Sequence, residues 1–148
     1  MKALGILLIV LGIITGLFGV RSYWRDYTYK KASIVVKASV KSVEIKPFSG
    51  KAVAGIYYTL NFMRDGIADS TKYNTTEEYS FKNPLPTAEK LQAIPFYVRY
   101  VPKNKRNETS FPNRVTVNNN GKYEGFYNSA LFGQMFVLIL LGYMVKKW

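Results

Sequence analysis

The sequence predicts a membrane-anchored α+β protein: two transmembrane helices flanking a small, mainly antiparallel β-domain, a sheet or partly open barrel, with one short helix. Three observations predict it. Ala3 to Val20 is an eighteen-residue stretch without a charge, and Ser129 to Val145 is a seventeen-residue stretch whose most polar member is Gln134. Between them, apolar and polar residues alternate with the period of strands. At ~1.5 Å per residue, each apolar stretch would span roughly 26 Å as a helix, close to the ~30 Å hydrocarbon core. The expected organisation is a first transmembrane helix over 3–20, an extracytoplasmic β-domain over 28–121 and a second transmembrane helix over 126–145.

The first stretch is too long for the apolar core of a cleaved leader, and small residues are missing at the −3 and −1 positions around Phe18-Gly19-Val20-Arg21-Ser22. It therefore reads as a signal anchor. Gly12 and Gly16 form a GxxxG, and the heptad spacing of Gly5, Gly12 and Gly19 places all four glycines near one helix face. A face without side chains lets another helix backbone approach closely, although glycine is also common in membrane helices generally. Gly125, Ser129 and Gly133 repeat the small-residue spacing at the start of the second stretch, so Ser129 and Gly133 are its candidate packing positions. Lys146-Lys147-Trp148 closes that stretch with a charged, aromatic stop.

Aromatic residues bracket both spans. Tyr23, Trp24, Tyr27 and Tyr29 follow the first, while Tyr123, Phe126 and Tyr127 precede the second; amphipathic rings favour the headgroup layer, so these form a candidate interface belt. Tyr143 and Trp148 would mark the opposite face. Basic flanks are nearly balanced across the two sides. A loop longer than ~60 residues translocates largely regardless of its charge, which favours cytoplasmic termini and an extracytoplasmic domain.

The domain elements follow in order. Ile34, Val36, Ala38 and Val40 share one phase, then Val43 and Ile45 continue on the other, so one extra residue near Lys41-Ser42 implies a β-bulge. Lys46 to Gly50 is a turn. Ala54, Ile56, Tyr58, Leu60 and Phe62 alternate as a half-buried strand, and Asp65-Gly66 marks a hairpin that pairs Ile67 to Thr75 back onto it. Asn83-Pro84-Leu85-Pro86 interrupts the sheet. A short helix with Thr87 as N-cap and Glu89 in its first turn should end near Ala93. Phe96, Val98 and Tyr100 form a further strand up to Pro102, Lys103 to Asn113 reads as an exposed loop, and Arg114 to Val117 as a last short strand. Four to six strands result.

Composition narrows the chemistry. Cysteine and histidine are both absent, which removes disulfides, thiol nucleophiles, the Ser-His-Asp triad and nearly every zinc site. Eighteen of the 21 basic residues and all nine acids lie between Arg21 and Gly125, a net charge of +9 there. That field favours anionic partners, and it also suits a solvated lysine-rich surface. The densest basic cluster, Lys103, Lys105, Arg106 and Arg114, is the candidate patch for an anionic partner: glycan, lipid or an acidic protein face, with nucleic acid disfavoured outside the cytoplasm. Glu77-Glu78 would point to opposite faces of a strand. Asp65 and Asp69 suit turn chemistry better than calcium. Asn74-Thr75-Thr76 and Asn107-Glu108-Thr109 match the glycosylation sequon, which matters only in a eukaryotic secretory pathway. No catalytic residue, metal site or cofactor site is expected.

Ala38 to Ile45, Tyr57 to Phe62, Asp65-Gly66 and Val98-Arg99-Tyr100-Val101-Pro102-Lys103-Asn104 carry a resemblance. In that order they resemble a widespread group of bacterial two-helix membrane proteins, catalogued as a domain of unknown function, with a V-x-Y-x-P-x-N segment before the second helix. Lys105 stands where that group usually has a proline. The resemblance implies a bacterial envelope location and a β-domain on two helices, and it implies no reaction; with cytoplasmic termini, the expected address is the inner membrane. The expected role is non-enzymatic: an accessory, assembly or partner-binding subunit of the envelope, in contact with lipid and with a membrane or periplasmic protein or a second copy. The alternative is an immunity-type membrane protein that neutralises a toxin acting in the periplasm or the membrane.

Overall fold

A computed structural model of the chain describes residues 2–80, 82, 84–125 and 129–147. Phe126 and Tyr127 of the expected belt, together with Asn83 and Trp148, lie outside the described residues. The chain divides into a helical unit (Met1–Lys31, Glu108–Ser110 and Glu124–Trp148) and a sheet unit (Ala32–Asn107 and Phe111–Tyr123).

In the helical unit, α1 runs over Lys2–Ala32 and α3 over Ala130–Lys147. α1 is 31 residues long, well past the apolar stretch that ends at Val20. The reason is local: 21–32 contains neither glycine nor proline, so nothing stops the helix until the β-branched run Ile34-Val35-Val36. Lys30 and Lys31 occupy the last turn, where cations complement the helix dipole.

Both helices are long and apolar enough to cross a membrane, and their apolar windows are only 22% and 6% buried. A core helix of a water-soluble protein would be mostly covered. Here Leu17, Phe18, Val20, Phe136 and Val137 stand exposed, an apolar surface that suggests membrane association.

The sheet unit is a curled antiparallel sheet of five strands in the order β3-β2-β1-β4-β5. β1 covers Ile34–Pro47, β2 Val53–Arg64, β3 Ile67–Glu78, β4 Phe96–Tyr100 and β5 Val115–Asn118. β1 belongs to both halves of the curl: Ile34–Ala38 pair with β4, and Ser39–Pro47 with β2. The register shifts between Val40 and Ser42, leaving Lys41 without a partner. This is the bulge required by the change of phase at Val43 and Ile45, and it lets Val36, Val40, Val43 and Ile45 all pack on one core. Among the described residues β3 and β5 do not pair, so the curl stays open.

β2 supplies Ile56, Tyr58, Leu60 and Phe62 to that core, and β4 supplies Phe96, Val98 and Tyr100. Aromatic rings meet there in tilted pairs, Tyr58 with Phe96 at 4.8 Å and Phe62 with Tyr100 at 5.9 Å between centroids. α2, only Ala88–Gln92, covers part of the core with Leu91. Thr87 is its N-cap, accepting from the Lys90 amide, and Ala93 its C-cap. One expectation changes: the segment after Pro102 is not wholly loop, because Lys103–Glu108 forms a 3-10 helix.

Candidate functional site

In the helical unit the glycines of α1 face α3. A methyl group placed on Gly5 would lie 2.7 Å from the Gly142 carbonyl oxygen and 2.8 Å from the Lys146 amide nitrogen. One on Gly12 would lie 2.7 Å from Ile139 Cγ1, one on Gly16 would collide with the Met135 sulfur, and one on Gly19 would come to 3.3 Å from the Phe132 ring. Their α3 partners descend from Lys146 to Phe132 as α1 ascends, so the helices are antiparallel. The close approach at the open end is backbone on backbone, which only glycine on both sides permits.

On α3 the close contact with α1 lies elsewhere than at the expected packing positions. Gly133 has nothing within 4 Å of where its side chain would be, and Ser129 is exposed just before the helix begins. Gly142 holds the contact instead: a methyl group there would lie 2.6 Å from the Gly5 carbonyl oxygen. Its place, four residues before Lys146, offers no local signal for this. Its significance comes from the register of the other helix.

Tyr23, Trp24 and Tyr27 are exposed on one flank of α1, with the Trp24 and Tyr27 rings 5.9 Å apart. Asp26 is buried between them in sequence, and a side chain on Gly125 would come to 3.2 Å from its Oδ2. Tyr123 sits in the sheet unit, where the Arg99 guanidinium covers its ring at 5.0 Å.

The basic residues of the expected patch fare differently from one another. Lys103 is exposed at the start of the 3-10 helix, and Lys105 and Arg106 on the same turn are half-buried. Arg106 Nε is buried without a hydrogen-bond partner. Arg114 lies over the Phe111 ring at 5.4 Å. Two aromatics beside the patch are committed elsewhere: Tyr100 is core, and Tyr97 packs beneath Gly121.

The patch is anchored by a tie that the sequence does not announce. Asp65 and Gly66 turn the β2–β3 hairpin with φ of 51° and 82°, the left-handed pair of a tight hairpin. The Asp65 amide donates to the Tyr100 hydroxyl at 3.0 Å, and its carboxylate accepts from the Lys103 amide at 3.2 Å. The hairpin tip is thus fastened to the end of β4 and to the first amide of the 3-10 helix. Arg64 completes the corner, 3.5 Å from Asp69 and over the Tyr100 ring at 5.6 Å.

A feature that sequence reading missed lies on the outward face of β1, β2 and β3. Lys37, Ser39, Lys41, Asn61, Met63 and Ser70 border an open hollow of about 640 Å³. Farther along the same face, Glu44, Lys46, Tyr57, Thr59, Lys72 and Asn74 border another of about 450 Å³. The alternation that defines the core also defines this opposite face, so its membership was available once strand pairing was known. Among the described residues no three acidic, histidine or cysteine side chains gather as a metal site.

No protein-family model matches the chain, no curated protein matches it in sequence, and no solved structure matches its fold.

Proposed function

We propose that this chain is a non-enzymatic integral membrane protein of the bacterial inner membrane, serving as an accessory or assembly subunit that presents its β-domain to a protein partner outside the cytoplasm. The observation that carries the reading is the glycine-seamed helix pair, with apolar side chains turned outward along most of its length. Antiparallel packing also brings Lys2 to the same end as Lys146 and Lys147, so that end is the natural cytoplasmic one. At ~1.5 Å per residue, α1 is roughly 46 Å long against a core of ~30 Å. Its last third would then rise out of the membrane, with Tyr23, Trp24 and Tyr27 at the headgroup boundary. The short motifs shared with the bacterial two-helix group support the envelope setting.

Crosslinking in membranes followed by affinity capture of the tagged, full-length protein tests the role. The reading expects a second membrane or periplasmic protein captured in stoichiometric amount. Recovery of the protein alone, or only as multimers of itself, would contradict a partner-binding role. Capture of a toxin would replace it with the immunity reading.

A further inference from the structure

We propose that the outward face of β1, β2 and β3 binds an acidic glycan chain, a polymer carrying carboxylates and hydroxyls. The proposal goes beyond the anchoring role and does not rest on it, because every residue involved lies on the sheet.

Charge comes first. Lys37 and Lys41 flank the larger hollow, and Lys72 stands on the neighbouring strand; none of the three makes an ion pair among the described residues. Lys41 is the unpaired bulge residue, so the defect that bends β1 also delivers an ammonium to the hollow. The one carboxylate in the lining, Asp69, is already engaged by Arg64 and by the Ser70 amide at 2.7 Å. Glu44 is likewise taken by Lys46 at 3.1 Å. Glu78, exposed at the far end of β3 on the same face, is one carboxylate against Lys37, Lys41 and Lys72, so the charge left around the larger hollow is positive and suits an anion.

Lining chemistry then selects among anions. Ser39, Asn61, Ser70, Thr59 and Asn74 offer hydroxyls and amides, the groups that pair with sugar hydroxyls. An acidic peptide would want apolar pockets for alternate side chains, and among the described residues lining the hollow Met63 is the one large apolar group that is exposed. Single-stranded nucleic acid would want successive stacking rings. Among the described residues the face exposes only Tyr57, whose ring already lies under the Lys46 ammonium at 5.3 Å. Finally, Met63 to Tyr57 covers about 20 Å along β2 at strand spacing, room for several sugar rings of a linear chain.

The test uses the full-length protein in detergent, with polygalacturonate as probe and dextran, polyglutamate and oligothymidylate as comparisons. Saturable binding to polygalacturonate is expected, with weaker binding to the other three. Because charge-assisted hydrogen bonds are lost, K37Q/K41Q should weaken binding by about tenfold or more. Both lysines are exposed, so this variant should melt as the wild type does, which separates lost binding from lost fold. K82Q/K90Q, which removes two exposed lysines away from this face, should bind normally. No saturable binding, equal binding of polyglutamate or oligothymidylate, unchanged binding by K37Q/K41Q, or an equal loss in K82Q/K90Q would each overturn the proposal.

Discussion

Burial raises the Tyr58 phenol above its ordinary value of 10.0, and the nearby Glu77 carboxylate and Tyr73 push it the same way. The native state therefore holds this proton more firmly than the unfolded chain does. The associated stability is fully present below the unfolded value near pH 10 and is lost as pH rises through the native one. Spectrophotometric titration should show a late tyrosine ionisation from Tyr58, together with the onset of unfolding. Tyr58→Phe should remove that late step and soften the alkaline loss; a late step that survives the substitution would show the wrong group has been assigned. Local chemistry at this scale was readable in advance wherever partners are near in sequence. Thr87 caps the helix that follows it, and Asp65-Gly66 makes its own turn. The tie from Asp65 to Tyr100 and Lys103 was not readable, since it joins residues far apart in the chain through the pairing of strands.

Helices and strands show the same divide. The bulge at Lys41 followed from the phase change between Val40 and Val43, because a strand with one buried face cannot change phase without an extra residue. α1 runs past its apolar stretch to Ala32, since a charge ends an apolar span without ending a helix. Its glycine face was legible as a pattern, whereas Gly142 was not, because nothing local distinguishes it from Gly133. The two glycines make a direct comparison. Gly5→Ala or Gly142→Ala forces backbone apart and should destabilise the helix pair by about 1–3 kcal/mol, the usual cost of overpacking. Gly133→Ala meets open space and should be neutral or slightly stabilising. Thermal melting of the detergent-solubilised variants, followed by helical circular dichroism, decides it: equal midpoints for all three would mean the helices are not seamed at Gly5 and Gly142.

For the whole molecule, function is less legible than fold for a physical reason. Hydrophobic pattern dictates what must be buried, and so it reveals strands, spans and core. A binding face is polar, like any solvated surface, and acquires meaning only when pairing lines up residues as distant as Lys37, Asn61 and Ser70. The exposed apolar helices and the lysines gathered at one end of the pair support the proposed topology, with both ends in the cytoplasm and the β-domain outside. With no native cysteine, single cysteines report position directly. Asn107→Cys on the 3-10 helix and Lys147→Cys at the end of α3, each labelled with an impermeant maleimide in intact spheroplasts and again after lysis, give the most direct measurement. Asn107→Cys should label in intact spheroplasts and Lys147→Cys only after lysis, with both proteins retained in carbonate-washed membranes. Labelling in the reverse pattern, or release of the protein by carbonate, would contradict the proposed topology.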